Sequence, residues 1–305
     1  MTASDLIPDS AEKAATARSA TEVHPLRWSV RRELWENRYL VIAPLVVNAF
    51  VLLGTIIAVA LIPRHLPAAN AAREHTIITG PFSMAPAPIM LATIMAGVFY
   101  CIDALYGERR DRSILFWKSL PVSDRTVVLS KLAVPMLVLP LLAFVLSVVT
   151  QLILLTFGTF VFAASGVGAG RLWSEFAFFE GLPIMIYGLA VHALWFAPIY
   201  GWLLLVSAWA KRAPLLWAVL PLLIISAFER LASGSWGFMA MLQNRIGGAM
   251  PRAFDITSPD AANIERLSQL TPLRFLMTPG LWLGLAFAAV CLAIAIRLRR
   301  NREPI

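Results

Sequence analysis

Long apolar runs alternate with shorter polar segments along the chain, and the lengths of the apolar runs predict membrane spans. A helix needs about 20 apolar residues to cross the hydrocarbon core of a bilayer. Six runs meet this requirement: residues 40–62, 86–106, 132–157, 182–209, 213–231 and 277–296. Prolines interrupt several runs, which membrane helices tolerate when neighbouring groups satisfy the freed carbonyls. The pattern therefore predicts an all-α integral membrane protein with six transmembrane helices.

The segment before the first span has two parts. Residues 1–24, rich in Ala, Ser and Thr, predict a disordered tail, whereas residues 25–39 have a helical period. Trp28, Trp35 and Tyr39 lie along one side of that helix, and aliphatic residues lie along another. The arginines Arg27, Arg31 and Arg38 lie between these two sides. This pattern is typical of an amphipathic helix at the membrane interface. The alternative is a solvated basic helix that only sets the orientation of the first span.

Composition narrows the class of protein. Hydrophobic residues make up 59% of the chain and charged residues only 14%, whereas about 25% of a soluble domain is charged. This balance excludes a cytosolic globular enzyme, a disordered chain and a small secreted scaffold. We expect no cleaved signal peptide, because residues 1–39 contain no early apolar segment. The cysteines, Cys101 and Cys291, both lie in apolar runs, so no disulfide framework is expected.

The placement of positive charge predicts the orientation. With the N-terminus inside, the inner segments 1–39, 107–131, 210–212 and 297–305 carry 18 of the 26 basic residues. The positive-inside rule therefore predicts that both termini are cytoplasmic. The net charge of +8 is then explained by anionic lipid of the inner leaflet, and nucleic acid is not an expected partner.

The chain lacks the short motifs of common catalytic sites. It contains no phosphate-binding GxxxxGK[ST] loop, no HExxH, no CxxC and no GxSxG. Its histidines, His24, His65, His75 and His192, are scattered without the spacing of metal ligands. We therefore expect no catalytic residue, no bound metal and no ATP hydrolysis by this chain alone.

The most informative segment is the predicted inner loop, residues 107–131. It contains four consecutive large apolar residues: Ile114, Leu115, Phe116 and Trp117. Such a run in a hydrophilic loop indicates a contact surface. Pro121 ends any helix begun there, and Ser123 stands where the N-cap of the next helix belongs. The loop thus predicts a short helix with an apolar tip and a charged rim.

This loop resembles the signature of permease subunits in the type-2 family of ATP-binding cassette (ABC) exporters. The matching residues are Glu108, Arg109, Ser113, the SLPVS stretch with Pro121 and Ser123, and Lys131. The N-terminal helix, the six spans and the long last outer loop (residues 232–276) agree with that family, although only the inner-loop motif is specific.

The resemblance implies that the short inner helix is a coupling helix seated in a separate ATPase subunit. Its docking residues would be Arg112, Ile114, Leu115, Phe116, Trp117 and Leu120. ATP and Mg would be bound by that ATPase, two permease copies would pair around a pathway, and the complex would lie in the cytoplasmic (inner) membrane of a bacterium. The alternative is that Leu115, Phe116 and Trp117 pack against lipid or the N-terminal helix.

Polar residues inside the spans are candidates for a pathway, because ionised groups there are costly. Asp103 and His192 are the main ones: Asp103 is expected to pair with Arg109, Arg110 or an N-terminal arginine as a latch, and His192 is an equally good pathway or structural residue. In loop 232–276, the first part is apolar enough to re-enter the membrane, and Ser258 caps a helix expected to run to Leu270. By resemblance this loop is an outer gate; alternatively it is an inert cap.

Two other classes of function stay open. The first is an ion-coupled secondary transporter built from inverted three-helix halves. The second is an ATPase-coupled membrane protein with a signalling or assembly role, which would have the same sequence features. Spans of this composition leave the cargo undetermined.

Overall fold

The structure is a computed structural model that describes residues 25–66, 71–119, 122–256, 264 and 266–301. The tail 1–24, Leu120, Pro121, most of the helix predicted after Ser258 and residues 302–305 lie outside this part. In chain order, the α-helices are α1 (Pro25–Glu36), α2 (Tyr39–His65), α3 (Ala71–Met84), α4 (Pro86–Asp103), α5 (Tyr106–Arg110), α6 (Ser113–Ser119), α7 (Asp124–Ala133), α8 (Leu139–Ala164), α9 (Ala169–Glu175), α10 (Phe178–Trp209), α11 (Pro214–Ser233), α12 (Gly237–Gly247), α13 (Met250–Ala253), α14 (Pro272–Leu276) and α15 (Pro279–Asn301).

The prediction of an all-helical fold with six apolar spans is confirmed. In the part of the chain that the structure describes, six stretches are long and apolar enough to cross a membrane: Tyr39–His65, Arg73–Arg110, Asp124–Ala164, Ala169–Trp209, Pro214–Ser233 and Pro279–Asn301. Within the described residues, β-pairing is limited to one isolated bridge between Phe254 and Leu270. Cys101 and Cys291 are buried and free, as expected.

Both ends of the described chain meet at one end of the bundle, which we call the terminal end; the opposite end is the loop end. Helix α1 lies against α7, and the last turns of α15 reach the same region. The most extensive contact between two helices joins α10 and α15, which approach closely at Gly201. A Cβ atom at position 201 would stand 3.2 Å from the Cα of Ala288. Small residues permit such close helix contacts.

The predicted spans were too short at their polar ends. Residues 63–85, predicted as a loop, include α3, which buries Ile78 and Phe82 in a cluster with Val59 of α2 and Leu154 of α8. The polar residues at the start of α3 led to the prediction of a loop in this segment. Likewise the third span begins at Asp124 rather than at residue 132, and Ser123 caps it by accepting a hydrogen bond from the Thr126 N–H at 3.1 Å. The predicted N-cap is confirmed.

The prediction of a helix that runs to Leu270 is wrong for its last residues, 266–270, which the structure describes. Arg266 is extended (φ −117°, ψ 141°), and Leu267–Gln269 form a single 3₁₀ turn. Backbone pairing replaces the helix here, because Asp255 N–H donates to the Gln269 carbonyl and Thr271 N–H donates to the Ala253 carbonyl. Earlier in the same loop, α12 packs beside α10 and α11.

Helix α1 turns a mixed face inward, polar at Ser29 and Glu33 and aliphatic at Val30 and Leu34. Ser29 and Glu33 are buried, whereas Trp28 and Trp35 are exposed, and Arg31 lies 4.5 Å from the centre of the Trp35 ring. A helix on a soluble protein has the opposite arrangement. The outward aromatic and basic face is therefore suited to a lipid interface, and the placement of α1 in that interface stays a prediction.

Candidate docking site at the terminal end

The predicted inner loop folds into α5 and α6, which are joined by a sharp turn. Arg112 adopts a left-handed conformation (φ 57°), which costs an ordinary residue about 1–2 kcal/mol. The turn ends α5, and the Arg112 carbonyl accepts a hydrogen bond from the Leu115 N–H at 3.2 Å in the first turn of α6. This turn sets the direction of α6 relative to α5.

The predicted docking residues on α6 separate into an anchor and a tip. Ile114 is only 1% exposed, so it packs in the protein interior and is not available to a partner in this conformation. Ile114 is therefore the anchor of α6 and not, as the sequence had predicted, one of the docking residues. Leu115 and Phe116, by contrast, are 59% and 61% exposed, and Arg112 is exposed beside them. Trp117 lies on α6, but its side chain is outside the described part, as are Leu120 and Pro121.

The base of this loop is fixed by a buried cluster of charged residues. Lys131 Nζ lies 3.0 Å from each carboxylate oxygen of Glu33 and 3.1 Å from Oε1 of Glu108. Arg299 Nη2 lies 3.2 Å from Oε2 of Glu108, and Arg299 also binds Asp124. The cluster therefore connects α1, α5, α7 and α15. Two of the residues matched to the family signature, Glu108 and Lys131, are in direct contact.

The most buried charges of this cluster balance, because Lys131 and Arg299 face Glu33 and Glu108. Arg32 completes the cluster, with Nη2 at 2.6 Å from Glu33 Oε1 and 3.5 Å from Glu108 Oε1. At the more exposed edge Arg32 also pairs with Glu36, and Arg299 also pairs with Asp124. Balance is required because an uncompensated charge buried here would cost several kcal/mol. Such a network holds the four helices in one relative arrangement.

Burial alone would raise the pKa of Glu33, but the charges of Lys131 and Arg32 outweigh it and hold that pKa below its ordinary value. The Tyr100 hydroxyl contributes by donating a hydrogen bond to Glu33 Oε2 at 2.7 Å. Glu33 is therefore an ionised structural carboxylate rather than a proton carrier at neutral pH.

A second set of contacts joins the loop to the end of the fourth span. Arg109 is buried and donates from Nη2 to the carbonyls of Ser207 and Ala210, at 2.8 and 2.6 Å. The Ser207 hydroxyl accepts hydrogen bonds from the N–H groups of Leu105 and Tyr106, both at 2.9 Å. These bonds satisfy polar groups where α4 breaks and where α10 ends.

The remaining predicted residues lie around this base. Ser113 Oγ donates to the Glu108 carbonyl at 3.4 Å. Asp103 lies 3.7 Å from Arg110 Nη1, and both side chains are about half exposed. Of its three predicted partners, Asp103 thus meets Arg110, and an exposed pair of this kind contributes little stability.

His192 lies elsewhere, in the middle of α10. Its Nε2 lies 3.2 Å from the Tyr200 hydroxyl, and its ring stacks on Phe196 at 4.7 Å. It also contacts the carbonyl of Pro135 in the π-helix Val134–Val138. In a π-helix each carbonyl accepts a hydrogen bond from the N–H group five residues later. The donor for the Pro135 carbonyl would therefore be residue 140, which is a proline and has no N–H. His192 thus lies beside a carbonyl that lacks a helical donor and also lines a cavity, so its pathway and structural roles both stay predictions.

Four members of the cluster were not predicted from the sequence: Arg32, Glu33, Asp124 and Arg299. One signal was present: Ser29 and Glu33 are four residues apart, on the side of α1 away from Trp28 and Trp35. A polar stripe opposite an aromatic stripe indicates that one of them faces protein.

The arrangement positions helices and leaves Leu115 and Phe116 exposed on α6. Among the described residues, no group of three or more His, Cys, Asp or Glu side chains could hold a metal ion. No protein-family model, curated protein or solved structure matches the chain.

Proposed function

We propose that the chain is the membrane-spanning permease subunit of an ABC exporter, and that it moves a solute out of the cytoplasm with ATP hydrolysed by a separate subunit. The observation that carries the proposal is the pair of exposed apolar residues, Leu115 and Phe116, on a helix anchored by Ile114. An exposed apolar pair with a charged rim has the composition of a binding hot spot.

The buried charge cluster supports this proposal because it connects the tip to the spans. A force on α6 would pass through the turn at Arg112 to Glu108 and Arg109. Glu108 is bonded to α7 and α15 through Lys131 and Arg299, and Arg109 is bonded to the end of α10. Movement of an ATPase against the tip would then displace three spans together.

The remaining parts of the proposal follow from the sequence. The missing phosphate-binding loop requires the ATPase to be a different chain or domain. The excess of basic residues on one side favours a cytoplasmic terminal end, which would place α6 where ATP is available. A bacterial inner membrane and a pair of permease copies around a central pathway are proposed from the family resemblance.

Co-purification tests this proposal. The tagged chain, extracted gently from its native host, is expected to carry a soluble ATPase in comparable amount. Changing Leu115 and Phe116 together to Ala is expected to reduce the bound ATPase by a factor of about 30 or more, because truncation of hot-spot residues costs about 2 kcal/mol or more. The matched control changes Phe228 and Leu231 to Ala, since both are strongly exposed on α11 at the loop end.

The outcomes separate the parts of the proposal. Loss of the ATPase in the α6 variant alone supports both the exporter function and the docking surface. An ATPase that stays bound to the α6 variant would show that the docking surface lies elsewhere on the protein. Absence of any ATPase from the folded wild-type protein would contradict the exporter function and favour an ion-coupled transporter.

A further inference from the structure

A cavity of about 680 Å³ lies in the loop-end half of the bundle. Its walls come from the corner between α3 and α4, from α8 and α10, and from the segment between α12 and α13. A volume of this size is in the range of sites that bind small molecules. Residues of a single chain form it, so it does not depend on a second copy.

Two glycines of α10 line the cavity. They are Gly181 and Gly188, seven residues apart on the same helix face. A Cβ atom at either position would have no heavy atom within 4 Å. Larger side chains could be accommodated at these positions without a backbone clash. Substitution of either glycine can therefore fill part of the cavity.

The lining is mainly apolar and adaptable. Met84, Met90, Met185 and Met250 line it, together with Phe144, Phe176, Phe196 and Phe254. Methionine side chains are flexible and polarisable, so they can adjust to ligands of different shape. This lining suits the hydrocarbon part of a ligand.

The polar groups of the lining point to a small uncharged polar group on the ligand. Gln151 donates from Nε2 to the Phe82 carbonyl at 3.2 Å. Neither its Oε1 nor the buried Ser147 hydroxyl has a hydrogen-bond partner among the described residues. These two atoms lie one turn apart on α8 and offer one acceptor and one hydroxyl to a ligand.

The charges of the lining argue against an acidic ligand. Among the lining residues that the structure describes, none is Lys or Arg. The ionisable ones are Glu175, whose Oε2 lies 2.7 Å from His75 Nδ1, and His192, which is bonded to Tyr200. A carboxylate or phosphate would be desolvated without a cation to compensate it, which is costly.

We propose that this cavity binds an uncharged amphiphile, with its hydrocarbon part among the methionines and its hydroxyl or amide group at Ser147 and Gln151. The inference deepens the proposed function, on which its physiological meaning rests, by naming the chemical class of the cargo. The binding itself is a property of the permease chain alone and is measured without an ATPase.

Photolabelling of the purified protein in detergent tests the site. The probe is hexadecanol carrying a photoreactive diazirine, and labelled residues are located by mass spectrometry of the peptides. Labelling is expected in α8 and α10 near Met185, and an excess of unlabelled hexadecanol is expected to suppress it. Gly188→Phe, which fills the cavity, is expected to reduce that labelling by about tenfold.

Controls keep the test decisive. Gly54→Phe adds the same side chain on α2, where a Cβ atom also has no neighbour within 4 Å, and is expected to leave the labelling unchanged. Gly181→Leu provides a second cavity-filling variant if Gly188→Phe is not folded. The diazirine analogue of palmitate, which adds a carboxylate to the same chain, is expected to label the site about tenfold less than the alcohol.

Three results would overturn the proposal. Labelling spread evenly over the exposed apolar surface, without suppression by hexadecanol, would mean that the cavity is not a site. Unchanged labelling in both cavity-filling variants would place the bound probe elsewhere. Equal labelling by the palmitate probe would contradict the uncharged class. Since none of these measurements involves ATP, a failure here is distinguishable from a failure of the proposed function.

Discussion

Lys131 places its ammonium group 3.0 Å from both carboxylate oxygens of Glu33, a residue 98 positions earlier in the chain. This contact fixes the N-terminal helix α1 to the beginning of the third span. The same ammonium group lies 3.1 Å from Glu108 at the base of the α6 loop. One buried cation thus joins three segments that are distant in sequence.

Replacement of Lys131 by Met is expected to destabilise the protein by about 3–5 kcal/mol, because Glu33 and Glu108 would be left with uncompensated buried charge. Thermal unfolding of the purified protein in detergent measures the effect. Lys211→Met, at an exposed position between α10 and α11, is the control and should unfold as the wild type does. Equal unfolding of the two variants would show that the cluster does not stabilise the fold.

The pKa of Glu33, held below its ordinary value, predicts a loss of stability in acid. Above the ordinary glutamate pKa of about 4.3 the stabilisation is fully present, and it decreases as the pH falls through the lower pKa of the folded state. The midpoint of thermal unfolding should therefore decrease on acidification. Glu33→Gln should start from a lower midpoint and depend less on pH; the same acid dependence in both proteins would exclude Glu33 as its source.

Ser207→Ala is expected to destabilise the junction between α4 and α5 by about 1–3 kcal/mol, because the N–H groups of Leu105 and Tyr106 lose their acceptor in a buried place. Chemical denaturation in mild detergent measures the change. Ser174→Ala, on the exposed surface of α9, provides the comparison. A variant at 207 no less stable than the one at 174 would mean that water replaces the hydroxyl.

Gly201→Val is expected to destabilise the packing of α10 on α15, by about 1–3 kcal/mol, since the added atoms meet the backbone of Ala288. The substitution Gly54→Val adds the same atoms in open space on α2 and should have little effect. Denaturation of both variants under identical conditions makes the comparison. Equal stability of the Gly201→Val and Gly54→Val variants would show that α10 and α15 can move apart without a loss of stability.

The sequence predicts the six spans well because the length of an apolar run is itself the physical requirement for crossing a bilayer. It predicts helix ends less well, because polar residues near a span fold into the helix when they find partners. Asp124 and Lys131 lie in α7 because both are paired in the buried cluster. Helix α3 was missed since its apolar residues, Ile78 and Phe82, are few and its first residues are polar.

The candidate site was predicted in part. The pattern around Ile114 identified a helix with an apolar tip, but only the three-dimensional arrangement distinguishes the buried Ile114 from the exposed Leu115 and Phe116. The partners of Glu108 could not be predicted because Arg32, Lys131 and Arg299 come from three other segments. Contacts of that kind depend on helix packing, which local sequence does not determine.

Photocrosslinking in intact cells tests the central claim most directly. A photoreactive amino acid replaces Phe116 at the exposed tip of α6, and in a parallel strain it replaces Phe228 on α11. Our account predicts that position 116, and not position 228, forms a covalent adduct with a soluble subunit that contains a phosphate-binding loop. Adducts of position 116 with lipid or with the chain's own helix α1, and with no ATPase, would contradict it.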